Sequence, residues 1–412
     1  MKKHAYRAKK VNKINWIKLK EQLAGSKVIF AIDVAKKKQY ALLTTEDGSV
    51  TVLMYWNHLD QTRELINQLK ALECPLDFIM ESTGTYGDSL RHQLNAAGFT
   101  AYQISTKRVS DAREVFDGVP SMHDAKAATV IAELHRRGLS QAWQEKSEAE
   151  RTLDAQRREY DMHQSQHQRN QNRLEAYLSR HWPEILPELS LDSVTLEQIL
   201  IAYGDPAHIA THAQTAAEQM REWSHGMLGE DKIKRIIDAA CHTLGAPCLE
   251  SERQYLQALG RELQHSRLAK KQAKQQLEAQ IKADDSLMQM GLMIGFVTTA
   301  VLISCNLDPN RYDSARSYQK AFGLNLKETS SGTYQSGLRI TKRGSSTARR
   351  YLYFAALRLI KDDPVINVWY QRKADSRAKK KTVIALMRKL SKALWHVGRG
   401  ETFDARKLLT VG

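Results

Sequence analysis

The chain has 412 residues, with 62 Lys and Arg against 46 Asp and Glu, and a formal net charge of +16. That length points to two or three domains with ample core, and that charge to a polyanionic partner, nucleic acid above all. Four scattered cysteines with no Cys-x-x-Cys pair exclude a disulfide-stapled secreted scaffold and fit a reducing compartment. Cys241-His242 and Cys248 lack the spacing of the common zinc sites. No run approaches the roughly 18–20 apolar residues that span a bilayer, so a soluble intracellular protein with no membrane partner is expected.

Residues 1–26 form a basic N-terminal arm, with a short helix over Asn15–Leu23 that partly buries Trp16, Ile17 and Leu19. Its cations suit either a nucleic-acid backbone or a loose arm. Val28–Val34 and Tyr40–Thr44 read as two strands joined by the basic turn Lys36-Lys37-Lys38, with Asp33 set in the apolar run of the first. A carboxylate in such a strand needs a metal or a hydrogen-bonded partner, or else lies at a strand end facing water. Val50–Trp56 is a third strand. Leu59–Leu72 is helical and ends before Pro75. Leu76–Glu81 is a fourth strand ending in an acid. Ser82-Thr83-Gly84-Thr85-Tyr86 suits a strand-to-helix turn with an N-cap. Ser89–Ala97 is helix and Thr100–Ile104 a fifth strand.

This is the element order of a ribonuclease H-like α/β fold, whose first and fourth strands are neighbours. Asp33 and Glu81 should then face each other. Two facing carboxylates hold still with a cation between them, and their hard oxygens suit Mg²⁺ or Mn²⁺. A pair of such ions activates the attacking oxygen and stabilises the leaving oxygen at a phosphodiester. Asp124 opens a later helix and is either the third metal ligand or a plain N-cap.

The segments AIDVAKKK, IMESTGTY and HDAKAATVIAEL resemble the RuvC-like domain of the DEDD insertion-sequence transposases. These are the RNA-guided bridge recombinases and their relatives, the Piv-type DNA invertases. The resemblance makes Asp33, Glu81 and Asp124 the first three acids of the motif. The fourth falls on Ala127, which cannot bind metal. Either three acids suffice, or the fourth was replaced and the enzyme inactivated. Glu133 lies too far along the helix to substitute.

Residues 141–284 read as a helical, coiled-coil region with an insert at about 183–247. No Pro or Gly falls between Gln144 and Trp182, so one long helix covers 145–181. Its heptad stripe is thin: Leu153, Tyr160 and Leu174 share their register with His167 and His181. Such a helix is either solvated or packed on a partner or on RNA. Leu249, Leu256, Leu263 and Leu277 mark a second helix, with Leu259 and Ala273 on the adjoining seam, and this is the better coiled-coil candidate. The resemblance implies that this region supports dimerisation. Residues 183–247 look like a small helical insert with exposed loops.

Residues 285–412 resemble the C-terminal transposase domain of the same family. Gly295, with a helix from Thr298, resembles half of a helix-hairpin-helix, where backbone amides hold a phosphate. The run Gly323-Leu324, Ser331-Gly332, Ile340-Thr341-Lys342-Arg343-Gly344 and Ala348-Arg349-Arg350-Tyr351-Leu352 resembles the family's Gly-Leu…Ser-Gly…Ser-Lys-x-Gly…Leu-Arg-Arg run. The resemblance makes Ser331 the nucleophile, with Ser330 a near neighbour in register. A serine needs activation by a base or a metal, and the resemblance implies a composite site, with acids and serine from different protomers. Lys342, Arg343, Arg349 and Arg350 are natural phosphate contacts or a solvated basic face. Lys379-Lys380-Lys381 is a backbone contact or a loop between two amphipathic helices, Tyr351–Ile360 and Thr382–Val397.

The expectation is thus an α/β RuvC-like domain over 27–140, a helical middle and a mainly helical C-terminal domain. Its function would be a bacterial, cytoplasmic transposase or recombinase that associates with the nucleoid when bound to DNA. The resemblance implies donor and target DNA and a structured non-coding guide RNA as partners, and a homodimer that becomes a tetramer in the synaptic complex. The alternatives are a RuvC-like junction nuclease in which water attacks, a protein-only DNA invertase, and a non-catalytic nucleic-acid scaffold.

Overall fold

The computed structural model describes residues 6–82, 84–112, 114, 115, 118–120, 123–328, 330, 331, 334, 335, 338–374 and 379–410. It divides into two compact units, residues 1–145 and 146–412.

The first unit is built on a seven-stranded mixed sheet. Its elements run β1 (Lys9–Lys10), α1 (Trp16–Leu23), β2 (Val28–Asp33), β3 (Lys38–Thr45), β4 (Thr51–Asn57), α2 (His58–Ala71), β5 (Leu76–Glu81), α3 (Asp88–Ala96), β6 (Thr100–Ile104), α4 (Thr106–Asp111), α5 (Asp124–Arg136) and β7 (Gln141–Ala142). The strand order is β1-β4-β3-β2-β5-β6-β7. The pair β2 and β5 is parallel, while β2, β3 and β4 form an antiparallel meander. This mixed α/β arrangement is consistent with a ribonuclease H-like DEDD domain.

Alternation along β2 explains why its apolar run is nearly continuous. Val28, Phe30 and Ile32 pack on α1, α2 and α3 through Leu23, Leu65 and Leu90. Ile29 and Ala31 pack on the opposite face against α4 and α5 through Val109, Ala128 and Ile131. Each such aliphatic burial contributes about 1.5–3 kcal/mol.

The N-terminal segment is partly built into this unit. Lys9 and Lys10 add a parallel edge strand to β4, Val11 is buried, and Leu19 and Leu23 enter the core. Asn15 caps α1 by accepting from the Lys18 amide at 3.0 Å. Ile17, expected to be partly buried, points outward. The turn after β5 also differs from expectation: Gly87, not a hydroxyl residue, holds the N-cap position of α3 and makes no side-chain cap. Thr83 lies outside the described residues.

The second unit is largely helical. The long helices α6 (Glu148–His181) and α12 (Glu250–Lys282) enclose five shorter ones: α7 (Ile185–Glu188), α8 (Val194–Ala202), α9 (Pro206–Thr211), α10 (Ala213–Trp223) and α11 (Glu230–Cys241). Then follow α13 (Asp285–Ile294), α14 (Phe296–Ser304), α15 (Ala315–Ala321), the two-residue strands β8 (Leu326–Lys327), β9 (Ser330–Ser331), β10 (Tyr334–Gln335) and β11 (Arg339–Ile340), and α16 (Ser346–Asp362), α17 (Pro364–Lys373), α18 (Lys379–Val397) and α19 (Ala405–Thr410).

Within one chain, α6 and α12 run side by side in opposite directions. Leu153 shares a cluster with Leu277 and Ile281, and Leu174 and Leu178 share one with Leu256 and Leu263. His167 and Asn170 in the stripe find partners within the chain rather than in solvent. His167 bonds Ser266 Oγ at 3.1 Å and Asp192 at 2.7 Å, and Asn170 donates to the Glu262 carbonyl at 3.2 Å. Leu249 precedes α12 and is exposed, so the apolar repeat of that helix begins at Leu256. The insert is helical and packs with the far ends of both long helices, through Ile185, Leu196, Leu200, Ile209, Met220 and Ile236.

In the C-terminal part, Gly295 separates α13 from α14 at φ +90°, and the two helices bend by 119°. The second helix starts at Phe296, two residues before the expected position. Lys379-Lys380-Lys381 forms the first turn of α18 rather than a loop. Among the described residues no single helix is long and apolar enough to cross a membrane.

Candidate active site

The pleat decides where the acids point. Asp33 follows Ile29 and Ala31 by steps of two, and Glu81 follows Ile79 in the same way. Each therefore lies on the sheet face that α5 covers. The parallel register sets Ile32 opposite Met80, which brings the next residues, Asp33 and Glu81, to the same edge of the sheet. Helix α5 packs on β2, β3 and β5 and opens with Asp124.

Asp33 feels the charge of both other carboxylates. Burial pushes the Asp33 carboxyl from 3.8 up to about 7, and the negative charges of Asp124 and Glu81 push in the same direction. Asp124 is not a plain N-cap. His123 holds that position, its Nδ1 accepting from the Lys126 amide at 3.2 Å, which leaves the Asp124 carboxylate at the exposed first turn. Ala127 is buried one helical turn further on. Neighbouring Lys126 is buried too, its ammonium donating to the Val119 carbonyl at 2.6 Å.

The donor set fits a hard divalent cation. The like charges of Asp124 and Glu81 add to the rise that burial causes at Asp33. An ion of the Mg²⁺ class removes that repulsion through oxygen ligands alone.

Beside Asp124 lies a cavity of about 310 Å³ lined by Tyr6, Ala8, Tyr40, Tyr55, His123 and Ala125. Sequence reading missed these aromatic neighbours. Tyr40 stands directly across from Asp33 in the β2–β3 ladder and Tyr55 directly across from Tyr40 in the next. Their rings are 5.6 Å apart, and the Lys38 ammonium sits 4.0 Å from the Tyr55 centroid. Counting residues across the hairpin from Asp33 would have found Tyr40. Gln39 fixes the turn, accepting from the Ala35 amide at 2.9 Å and donating to the Ala35 carbonyl at 2.6 Å.

In the second unit, the serine segment is a nested ladder. Leu326–Lys327 pairs with Arg339–Ile340, and Ser330–Ser331 pairs with Tyr334–Gln335. The backbone of Ser331 thus lies at the end of a β-arm. Its side chain and that of Ser330 lie outside what the structure describes, as do Thr329 and Gly332. The two glycine motifs at the base of the arm interlock. A Cβ on Gly323, which has φ +69°, would lie 2.7 Å from the Arg343 amide nitrogen, and one on Gly344 would lie 2.1 Å from the Ala321 carbonyl oxygen.

The expected phosphate contacts fall into two groups. Arg349 is half-buried and donates to the Phe322 and Gly344 carbonyls, each at 2.9 Å, so it braces this loop. Lys342, Arg343, Arg350 and Lys379 to Lys381 are exposed. Arg343 lines a cavity of about 330 Å³ with Lys320, Asn325, Lys327 and Thr341.

A family model for IS110-type DEDD transposases matches residues 30–183, and a second, described as the transposase IS116/IS110/IS902 family, matches residues 289–371. No curated protein matches the chain. The three acids fall inside the first of these matches and the glycine-locked arm inside the second. The protein is a DNA-processing enzyme of the transposase class. The chain belongs to the DEDD insertion-sequence transposases.

Proposed function

We propose that the protein cuts and exchanges DNA strands between a donor and a target, using the acid cluster of Asp33, Glu81 and Asp124 together with the hydroxyl of Ser331. The observation that carries this reading is the placement of Asp33 and Glu81 at one sheet edge, with the charge of Asp124 at the start of α5 reaching Asp33. These acids would hold Mg²⁺ or Mn²⁺, whose positive charge activates an attacking oxygen and stabilises a leaving one. Ser331 Oγ attacks a backbone phosphorus and loses its proton, and the bond to the 3′ oxygen breaks. The 3′ oxygen leaves and takes up a proton, and a 5′-phosphoserine link remains. By family likeness the serine acts with the acids of a second protomer, and the α6–α12 hairpin supports the dimer.

Lys320, Lys327 and Arg343 gather round one cavity and suit a DNA phosphate. The three lysines that open α18 crowd positive charge onto the positive end of a helix, an arrangement that an anionic backbone relieves. A structured non-coding RNA that pairs with both DNAs is the proposed source of sequence choice.

A second reading is a RuvC-like nuclease in which water attacks. It is favoured by the acids all lying in the first unit, between positions 33 and 124. Ser331→Ala separates the two. Recombination predicts that the variant loses the covalent protein–DNA species on a denaturing gel. Hydrolysis that survives the substitution, with no covalent species in the parent protein, selects the nuclease.

A further inference from the structure

Outside the acid cluster, the second unit brings together one histidine, one cysteine and one glutamate from three separate stretches. His181 ends α6, Cys248 lies in the loop before α12, and Glu252 is in the first turn of α12. Their ligand atoms all lie within 4.8 Å of one another. The His181 side chain is 0% exposed.

His181 is set up as a ligand. Its Nδ1 donates to the Ala246 carbonyl at 2.9 Å, which fixes the tautomer and leaves a lone pair on Nε2. Nε2 is buried and has no hydrogen-bond partner. It points towards Glu252 Oε1, 3.7 Å away, beyond hydrogen-bond range. Glu252 is fixed through its other oxygen, which accepts from the Leu249 amide at 2.9 Å.

The surrounding loop is clamped. Ala246 donates its amide to the Arg180 carbonyl at 2.8 Å. Glu184 accepts from the Thr243 hydroxyl at 2.7 Å and the Leu244 amide at 2.8 Å. Gly245 lies so close to His181 that a Cβ there would be 2.2 Å from the His181 carbonyl oxygen. His181 and Glu252 are therefore held in place by main-chain contacts independent of any ion, as a preformed site requires, and Cys248 packs against the neighbouring apolar cluster.

We propose that His181 Nε2, Cys248 Sγ and Glu252 Oε1 bind one zinc-class transition-metal ion that ties the loop before α12 to the end of α6. Nitrogen, sulfur and oxygen ligands together select Zn²⁺ over Mg²⁺, and three protein ligands leave a fourth tetrahedral position to water. The Cys241-His242 pair takes no part, since both residues are exposed and His242 faces Asp238 at 3.0 Å. The competing occupant is a proton, which would make His181–Glu252 a simple ion pair, with Arg180 of the same helix 3.5 Å from the same oxygen.

The test uses the full chain carrying Asp33→Asn, so that the acid cluster does not contribute. After stripping with chelator, it is titrated with Zn²⁺ and with Co²⁺ in the presence of excess Mg²⁺. One equivalent of bound Zn²⁺, a thermal shift of several degrees, and a cobalt–thiolate charge-transfer band are expected. Cys248→Ser should abolish the band, and Glu252→Gln should weaken Zn²⁺ binding at least tenfold. Absence of a thiolate band and of a thermal shift in the parent, or their persistence in Cys248→Ser, would overturn the site. Ser331-dependent recombination is read separately, so this proposal fails independently of the proposed function.

Discussion

At the scale of single residues, Asp33 carries the most consequential charge. Its carboxyl stands near 3.8 in an unfolded chain and is pushed up to about 7 in the fold. Between those values the folded state keeps a proton that the unfolded state has lost. Folding stability therefore falls as pH rises from about 4 to about 7, and this contribution is flat outside that window. In chelator, the unfolding free energies of the parent and of Asp33→Asn should diverge across the window, by a few kcal/mol at most because the group is partly exposed. Parallel pH profiles would show that the acids do not repel as described. Ala127 makes a second case. It is buried one turn from Asp124, so Ala127→Asp adds a fourth negative charge where burial is costly. The variant should melt lower than the parent in chelator and recover with Mg²⁺, with metal-dependent DNA cleavage rising at least tenfold. A melt insensitive to Mg²⁺ would place position 127 outside the metal site.

At the scale of elements, the sheet was largely legible and the helix partners were not. Alternation in VIFAID and LDFIME assigns each residue to a face, and the ribonuclease H-like order makes the two strands neighbours. The Asp33–Glu81 pairing follows from local pattern. The stripe on α6 has no such rule. Periodicity shows which side of a helix is covered but not what covers it. His167 and His181 looked like flaws in a heptad because their partners, Ser266, Asp192 and Ala246, are remote in sequence. The same applies to Glu197. It is fully buried on α8 and paired by Arg267 of α12 at 2.7 and 2.9 Å. Arg267→Ala strands that carboxylate and should cost about 3–5 kcal/mol in urea unfolding. Glu197→Gln, which leaves the more exposed partner in place, should cost clearly less. Equal costs would mean the pair is not desolvated.

At the scale of the whole chain, the +16 charge belongs to binding rather than to folding. If Lys379, Lys380 and Lys381 contact a nucleic-acid backbone, changing all three to Ala should shallow the slope of log affinity against log salt. The change should approach about 0.9 per lost phosphate contact and be independent of DNA sequence. An unchanged slope would assign them to solvent. Asp33 and Glu81 could be placed from strand pattern, whereas Ser331 rests on family likeness alone, since a Ser-Ser-Gly tripeptide carries no physical signature of a nucleophile. The tyrosines beside Asp124 fell between these cases, because they become neighbours only when hairpin register is counted.

The placement of acids in residues 33–124 and of Ser331 in the unit spanning 146–412 makes the two halves of the chemistry genetically separable. On the proposed mechanism, a chain lacking Asp33 and a chain lacking Ser331 should each be inert alone. Mixed together they complement each other if a serine works with the acids of another copy: one of the two sites in a mixed dimer is then intact, and the other is doubly broken. If each copy works alone, the mixture stays silent. Complementation between two dead alleles thus counts how many chains build one reaction centre, without any structure of the assembly.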